Sequence, residues 1–470
     1  MKDFVSMPSE TGASEEDRKF NAAFEAILNM DRSDYPNWMG GIMFASGTDF
    51  QVGSPIDNSI IIGQFQEPEA GMAVRAVSFA SQAFKEWSSL PLSIRIERMR
   101  SIRDDLVRGR YRLAAAICIS VGMTRKEALA EMDRLREVMD GCLQDAEDME
   151  GKDRPTGVWA VIGSYHSPVA APISSTFAAL LAGNTVVLMP SHLCPLPTYM
   201  IYEMMSRKGL PDGALNLLLD RRGKVQKDLV DNPELAGVCV SGSGEGSEEM
   251  MFAQVDPDLR FHAEIKGMNP AVISQRSDLK YAAEAVLDSA FSYSGQRLDS
   301  CSKVVVLDQH YEQFLNILMK AASRITVGDP AENGVFTGPV INKEMMQRFL
   351  DLMDGARPWL LMGGERLTKD FLGEGCFVRP AILAGLPEDH ELNTMDHSLP
   401  ILCVQRASDL EDAIEKVNAC EFGLSAGIFT KDEKEMERFL ATINADNAYV
   451  NGPSTELGPA SKISLADFQG

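Results

Sequence analysis

The spacing of apolar residues changes along the chain, and each change marks a different kind of element. After an unpatterned start, the stretch DRKFNAAFEAILNM reads as a helix. Residues 42–65 (IMFASGTDFQVGSPIDNSIIIGQF) alternate around turn residues, which predicts short strands. From about Pro68 to Ala146 apolar residues recur at three- and four-residue steps, as in AVRAVSFASQAFKEW and RIERMRSIRDDLVRGRYRLAAAICISV. That spacing predicts helices with one buried face. After Gly151 short apolar runs alternate with helical ones. GVWAVIG, NTVVLMP, ALNLLLD and LAGVCVSGS read as strands; PVAAPISSTFAALLAG, PLPTYMIYEMMSRKG and KVQKDLVDNP read as helices. The alternation continues through NPAVIS, YAAEAVLDSAFSYSG, KVVVLD, YEQFLNILMKAASRI, WLLMGG, PAILAGL, ILCVQRA, LEDAIEKVNAC and LSAGIFT. Strands that are apolar throughout suit parallel sheets covered on both faces by crossover helices. The expected fold class is α/β, with two domains that each hold a mainly parallel sheet.

Composition narrows the function. The 470 residues include 45 Lys+Arg and 68 Asp+Glu, a net charge of −23, with 45% hydrophobic residues. The apolar content rules out disorder of the whole chain. The acidic balance argues against nucleic acid and against anionic membrane surfaces. No run is long enough for a membrane span, and the N-terminus has no secretory apolar core. The eight cysteines are scattered, mostly in apolar strings, without metal-ligand spacing. Buried cytoplasmic thiols and no metal site are expected.

GVWAVIGSYHSPVAAP…AGNTVVLMPS, KGLPDGALN, VSGSGEGSEEM, AEIKGMNPAVI, YSGQRLDSCSKVVVLD, FTGPVIN, CFVRPAIL and EFGLSAGIFTKD occur in an order that resembles the aldehyde dehydrogenase superfamily. The spacing of GQ and CSKV is most similar to the Δ1-pyrroline-5-carboxylate dehydrogenase branch. The resemblance implies a nucleotide-binding-type domain over 1–262, a catalytic-type domain over 263–435, and a return segment, 436–470, packing on the first domain. It also implies thiol-dependent oxidation of an aldehyde with NAD or NADP. That chemistry needs a thiolate, an oxyanion donor, a carboxylate that activates water, and a nucleotide cleft.

The motifs depart from the family at most of these places. The thiol falls two residues after the Gln of the Gly-Gln pair, and here Gly295-Gln296-Arg297 is followed by Leu298. Leucine has no lone pair. Cys301 lies three residues on, and an odd offset in extended chain turns it to the opposite face. It is a candidate substitute nucleophile and, more simply, a structural cysteine. His166 replaces the family's oxyanion-binding Asn; an imidazole can donate one hydrogen bond there, or simply be satisfied in its loop. Glu264 stands at the general base. Lys266, in place of a glycine, is free to pair with Glu264 or to point to solvent. In the nucleotide cleft, Met189-Pro190-Ser191-His192 replaces Lys-Pro-Ser-Glu, and Asp396-His397-Ser398-Leu399 replaces Glu-Ile-Phe-Gly. Gly242 and Ser243 remain in the pyrophosphate turn, with Gly246-Ser247 beyond them in place of Val-Gly. The candidate cofactor contacts are Gly242, Ser243, Asp396, Pro190 and Ser191.

Two family segments have no counterpart. Only Glu150–Thr156, seven residues, fills the place of the oligomerisation hairpin, and Asn451-Gly452-Pro453 runs into a tail unlike the family's. A monomer, or a dimer through another surface, is expected, with room for a different protein partner. The expected function is a family member that has lost thiol-dependent oxidation, with weak or absent NAD(P) binding, acting as a binding or scaffold protein. Two readings stay beside it: an NAD(P)-dependent aldehyde or pyrroline-5-carboxylate dehydrogenase with unusual residues, and an enzyme that uses Glu264 and His166 for non-covalent acid-base work.

Overall fold

The computed structural model describes residues 14–31, 34–149, 154–243, 259–420, 424–456 and 464–470. Three sheets organise them. A small one has the order β1 (Asp34–Tyr35), β5 (Ile61–Gln66), β4 (Asp49–Gly53). The first large sheet runs β10 (Arg260–Lys266), β9 (Leu235–Ser243), β6 (Val158–Ile162), β7 (Thr185–Met189), β8 (Leu215–Leu217), β2 (Asn37–Met39), β3 (Ile42–Phe44). The second runs β13 (Leu360–Met362), β14 (Ala381–Ala384), β15 (Ile401–Ala407), β12 (Lys303–Leu307), β11 (Ala271–Ile273), β16 (Ser425–Phe429), β17 (Asn447–Val450). Each large sheet is parallel except at one edge, where β2 and β3, or β13, run antiparallel.

The central strands are apolar on both sides because two cores meet across them. In β6, Trp159 and Val161 enter one core while Val158, Ala160 and Ile162 enter another. In β12, Val304 and Val306 face one core and Val305 and Leu307 the other. This is the two-residue period of a strand, read in burial.

The helices between Pro68 and Ala146 are α2 (Met72–Ser89), α3 (Leu92–Arg108), α4 (Arg110–Val121) and α5 (Arg125–Asp148); α1 is Glu15–Leu28. α5 starts with a capping box in which Glu127 Oε2 accepts from the Thr124 N–H and hydroxyl, both at 2.7 Å. α6 (Ala170–Leu181) and α7 (Pro195–Ser206) come after β6 and β7 as crossovers, and α8 (Lys224–Val230) comes after β8.

Two boundaries and one helix differ from the sequence reading. β10 continues through the expected division at 262 and pairs with β9 throughout, so the first sheet reaches Lys266. Much of the expected return segment belongs to the second half: β17 pairs with β16, and among the described residues the last ones, 464–470, come back to the first sheet. There the Phe468 ring lies 4.5 Å from that of Trp159, Asn184 donates to the Phe468 carbonyl at 2.8 Å, and Pro155 bridges Gln469. A helix the sequence reading passed over, Lys343–Gly355, buries Met346, Phe349 and Met353 and is capped by Asn342.

Among the described residues no helix is long and apolar enough to cross a membrane, and no group of His, Cys, Asp and Glu is placed to hold a metal ion.

Candidate active site

β6, β7, β9 and β10 are mutually parallel, so their C-terminal ends lie along one edge. In open α/β sheets that edge is where ligands bind. The expected site residues gather there. His166 lies just beyond β6, Pro190 and Ser191 just beyond β7, Gly242 and Ser243 end β9, and Glu264 lies near the end of β10 beside Ser241. Gly246 and Ser247 lie outside the described residues.

The loop at the nucleophile position is held from several sides. Tyr293 and Ser294 adopt φ of 50° and 52°, and Gly295 a φ of 70°. A Cβ on Gly295 would lie 2.4 Å from the Leu399 carbonyl oxygen, so only glycine fits there. Gln296 is fully buried; its Oε1 accepts from the Ile341 N–H at 2.8 Å and its amide donates to the Tyr293 carbonyl at 3.0 Å. Arg297 makes a two-point ion pair with Asp299, at 2.8 and 2.9 Å. Asn269 ties the loop's far end to the end of the first sheet: its amide donates to the carbonyls of Gly267, Leu298 and Ser300 at 2.8–3.0 Å.

This loop presents Leu298 to a small chamber of about 30 Å³ between α5 and α6. His166, Glu264 and Arg297 line the same space. Cys301 does not. Its side chain is buried in the core beneath the second sheet, its Sγ lies 3.1 Å from the Lys303 carbonyl, and burial pushes its thiol up to about 12. The residues between Leu298 and Cys301 form a turn rather than extended chain, with the Ser300 N–H donating to the Arg297 carbonyl at 3.1 Å, and that turn carries the candidate nucleophile out of the chamber.

His166 reaches the chamber in the wrong form for an oxyanion donor. Burial and the nearby Lys266 ammonium lower its pKa to about 4, so the ring is neutral at pH 7. A neutral ring carries one N–H, and Nδ1 lies 2.7 Å from the Gln296 carbonyl. A carbonyl can only accept, so the proton sits on Nδ1 and Nε2 is left as an acceptor. The single donor the sequence reading allowed is therefore already committed.

Lys266 neither pairs with Glu264 nor points to solvent. Its ammonium is buried and lies 2.6 Å from Asp396 Oδ1. The Ser302 hydroxyl donates to the same oxygen, and the Ser398 N–H and hydroxyl donate to Oδ2 at 2.8 and 3.1 Å. Burial alone would raise the Asp396 pKa, but Lys266 and these donors outweigh it and hold the carboxyl below its usual range. Both oxygens of the candidate ribose acceptor are thus engaged inside the protein. Nearby, Ser191 accepts from the Leu193 N–H at 3.3 Å, and Met189 is buried under the sheet edge.

The sequence reading did not single out Asn269, Glu131 or Arg134. Glu131 and Arg134 stand one turn apart on α5, a spacing that places them on one face, but what they face is set only by the packing of α5 on α6.

The fold has counterparts among known proteins. The profile of the aldehyde dehydrogenase family matches residues 43–461. A 1-pyrroline-5-carboxylate dehydrogenase of Geobacillus sp. (strain WCH70) is 26% identical over 456 residues, covering 92% of this chain and 88% of the relative. An alpha-ketoglutaric semialdehyde dehydrogenase of Bacillus subtilis (strain 168) is 28% identical over 443 residues, covering 90% of this chain and 91% of the relative. Among solved structures, Thermus thermophilus 1-pyrroline-5-carboxylate dehydrogenase (R100A mutant) superposes with a TM-score of 0.89 at 24% identity, over 98% of this chain and 92% of that one. With the family profile spanning most of its length, this chain belongs to the aldehyde dehydrogenase family.

Proposed function

We propose that this family member has lost thiol-dependent aldehyde oxidation and serves as a binding or scaffold protein. One observation carries the reading: Leu298 fills the chamber wall where the family's thiol stands, while Cys301 is buried in another core. Losing a covalent nucleophile costs on the order of 10⁴-fold or more in rate. The occupied Nδ1–H of His166 supports the same reading, since it leaves no side-chain donor there for an oxyanion.

The family implies NAD or NADP, and the residues here do not fit the family's ribose contacts. Asp396 is engaged with Lys266, Ser302 and Ser398, and Met189 has no donor. Two lost charge-assisted contacts cost roughly 3–6 kcal/mol, or about two to four decades of affinity. Binding of NAD+ or NADP+ is expected in the millimolar range or weaker.

The packing of the last residues on the chain's own first sheet supports a monomer, or a dimer through another surface. Cytoplasmic residence is proposed on the cysteine usage alone.

The acid-base reading has one observation in its favour: Glu264 and His166 line one chamber. A His pKa of about 4 makes a weak base at neutral pH, so it ranks second.

The test incubates the protein with NAD+ or NADP+ and a panel of aldehydes, including pyrroline-5-carboxylate. No steady NAD(P)H formation is expected. Turnover that disappears in Cys301→Ala would overturn the proposal and make Cys301 the nucleophile.

A further inference from the structure

A lysine near the end of an edge strand ordinarily carries its charge to water, because its long stem lets the ammonium reach solvent. Lys266 does the opposite. It is the last residue of β10, an outer strand of the first large sheet, and its side chain is fully buried. The ammonium turns inward and ends 2.6 Å from Asp396 Oδ1. It has three N–H groups, and the described residues give it no partner other than Asp396. Taking a lysine charge out of water for one partner is costly, and nothing in the pairing of β10 requires it.

Two separate placements locate this side chain. In the parallel register of β10 with β9, Lys266 stands directly beside Ser243, one of the candidate cofactor contacts. Its stem then reaches Asp396, another of them, which lies ahead of β15 in the second half of the chain. The ammonium is also near enough to His166 to help keep that ring neutral. The side chain therefore lies among Ser243, Asp396 and His166, at a position where the resembled family has a glycine and no side chain at all.

We infer that Lys266 is a built-in occupant of the cofactor cleft: its stem fills the space beyond the end of β10, and its ammonium holds the carboxylate that a dinucleotide's ribose would need. The inference rests on the reading of weak or absent NAD(P) binding and deepens it, by assigning most of that loss to one side chain. The two kinds of change differ physically. Met189 merely omits a donor. Lys266 has to be displaced, and a buried ion pair separated, before any ligand can use Asp396.

Calorimetry on the whole protein tests this with two probes, NAD+ and ADP, the second lacking the half of the dinucleotide that would meet Asp396. Lys266→Gly is expected to tighten NAD+ by about tenfold or more, the worth of one regained charge-assisted contact, and to leave ADP within about twofold. Lys266→Met keeps the bulk and is expected to bind NAD+ as weakly as the unaltered protein. Circular dichroism checks the fold of each variant, and Lys266→Ala takes the place of Lys266→Gly if the glycine variant does not fold. NAD+ affinity unchanged in Lys266→Gly and Lys266→Ala, an equal gain in Lys266→Met, or an equal gain for ADP would overturn the inference and leave the reading of weak binding standing. Micromolar NAD+ binding by the unaltered protein would overturn that reading and the inference with it.

Discussion

Replacing Asp396 by Asn separates the Lys266–Asp396 pair and exposes its energetics. The Lys266 ammonium is fully buried and lies 2.6 Å from the carboxylate. At an effective dielectric of about 20, charges roughly 4 Å apart attract by about 4 kcal/mol, which offsets the cost of taking both from water. Asp396→Asn leaves a buried cation without its anion, and such single truncations cost about 3–5 kcal/mol. Lys266→Met falls at the low end of that range, because Ser302 and Ser398 still donate to the carboxylate. The double variant, Lys266→Met with Asp396→Asn, removes both charges and recovers much of the loss. Urea unfolding of the four proteins gives the coupling by a double-mutant cycle. A coupling of at least about 2 kcal/mol is expected. Single variants costing under about 1 kcal/mol, with effects that simply add, would refute the assignment of this pair as a buried, mutually dependent unit.

The site yields four further expected outcomes. His166 is neutral in the fold, with a pKa of about 4 against an ordinary 6.5, so the unfolded chain binds the extra proton first on acidification. Stability therefore falls as pH drops from about 6.5 to about 4, by about 3 kcal/mol for this group, and His166→Gln removes that share in urea unfolding while the likewise lowered His192 and His397 keep theirs. The depressed Asp396 carboxyl acts in a lower window: its contribution is complete above the ordinary carboxylate pKa and is lost as pH falls through the folded value, a loss that Asp396→Asn abolishes. Gly295→Ala forces a Cβ to 2.4 Å from the Leu399 carbonyl and should lower stability by more than about 1 kcal/mol, read by thermal unfolding. Leu298→Cys places a thiol on the chamber wall, so peptide mapping after brief iodoacetamide treatment should find position 298 alkylated and Cys301 untouched until the protein is unfolded.

Much of the fold is legible in local pattern, because strand burial on two faces and helix burial on one are properties of adjacent residues. VWAVI and TVVLM, short apolar runs rich in β-branched residues, read as covered strands and are buried along their whole length. Leu298 and Cys301 do face apart, but the chain between them is a turn, so the alternation expected of extended chain is not what separates them. β10 was not legible as a strand: RFHAEIK mixes charged and apolar residues at an edge of the sheet, where one side needs no apolar cover. The site's electrostatics were hidden further. Which partner Lys266 takes depends on how the loop carrying Asp396 docks against the end of β10. The tautomer of His166 is fixed by a carbonyl 130 residues away in sequence. Spacing within a motif carries no information on contacts of that range, so Lys266 and His166 were left with open alternatives that only tertiary packing resolves.

The central claim is that no side chain in the Gly295–Cys301 loop attacks an aldehyde, and a covalent adduct reports on that step alone. The protein is incubated with NAD+ or NADP+ and excess aldehyde, quenched in acid, and measured by intact mass. A thiol nucleophile would leave an acyl group on the chain as a thioester. Leu298 on the chamber wall predicts the unmodified mass at every time point. An added acyl mass that peptide mapping places on this loop, at Cys301 above all, would contradict the account.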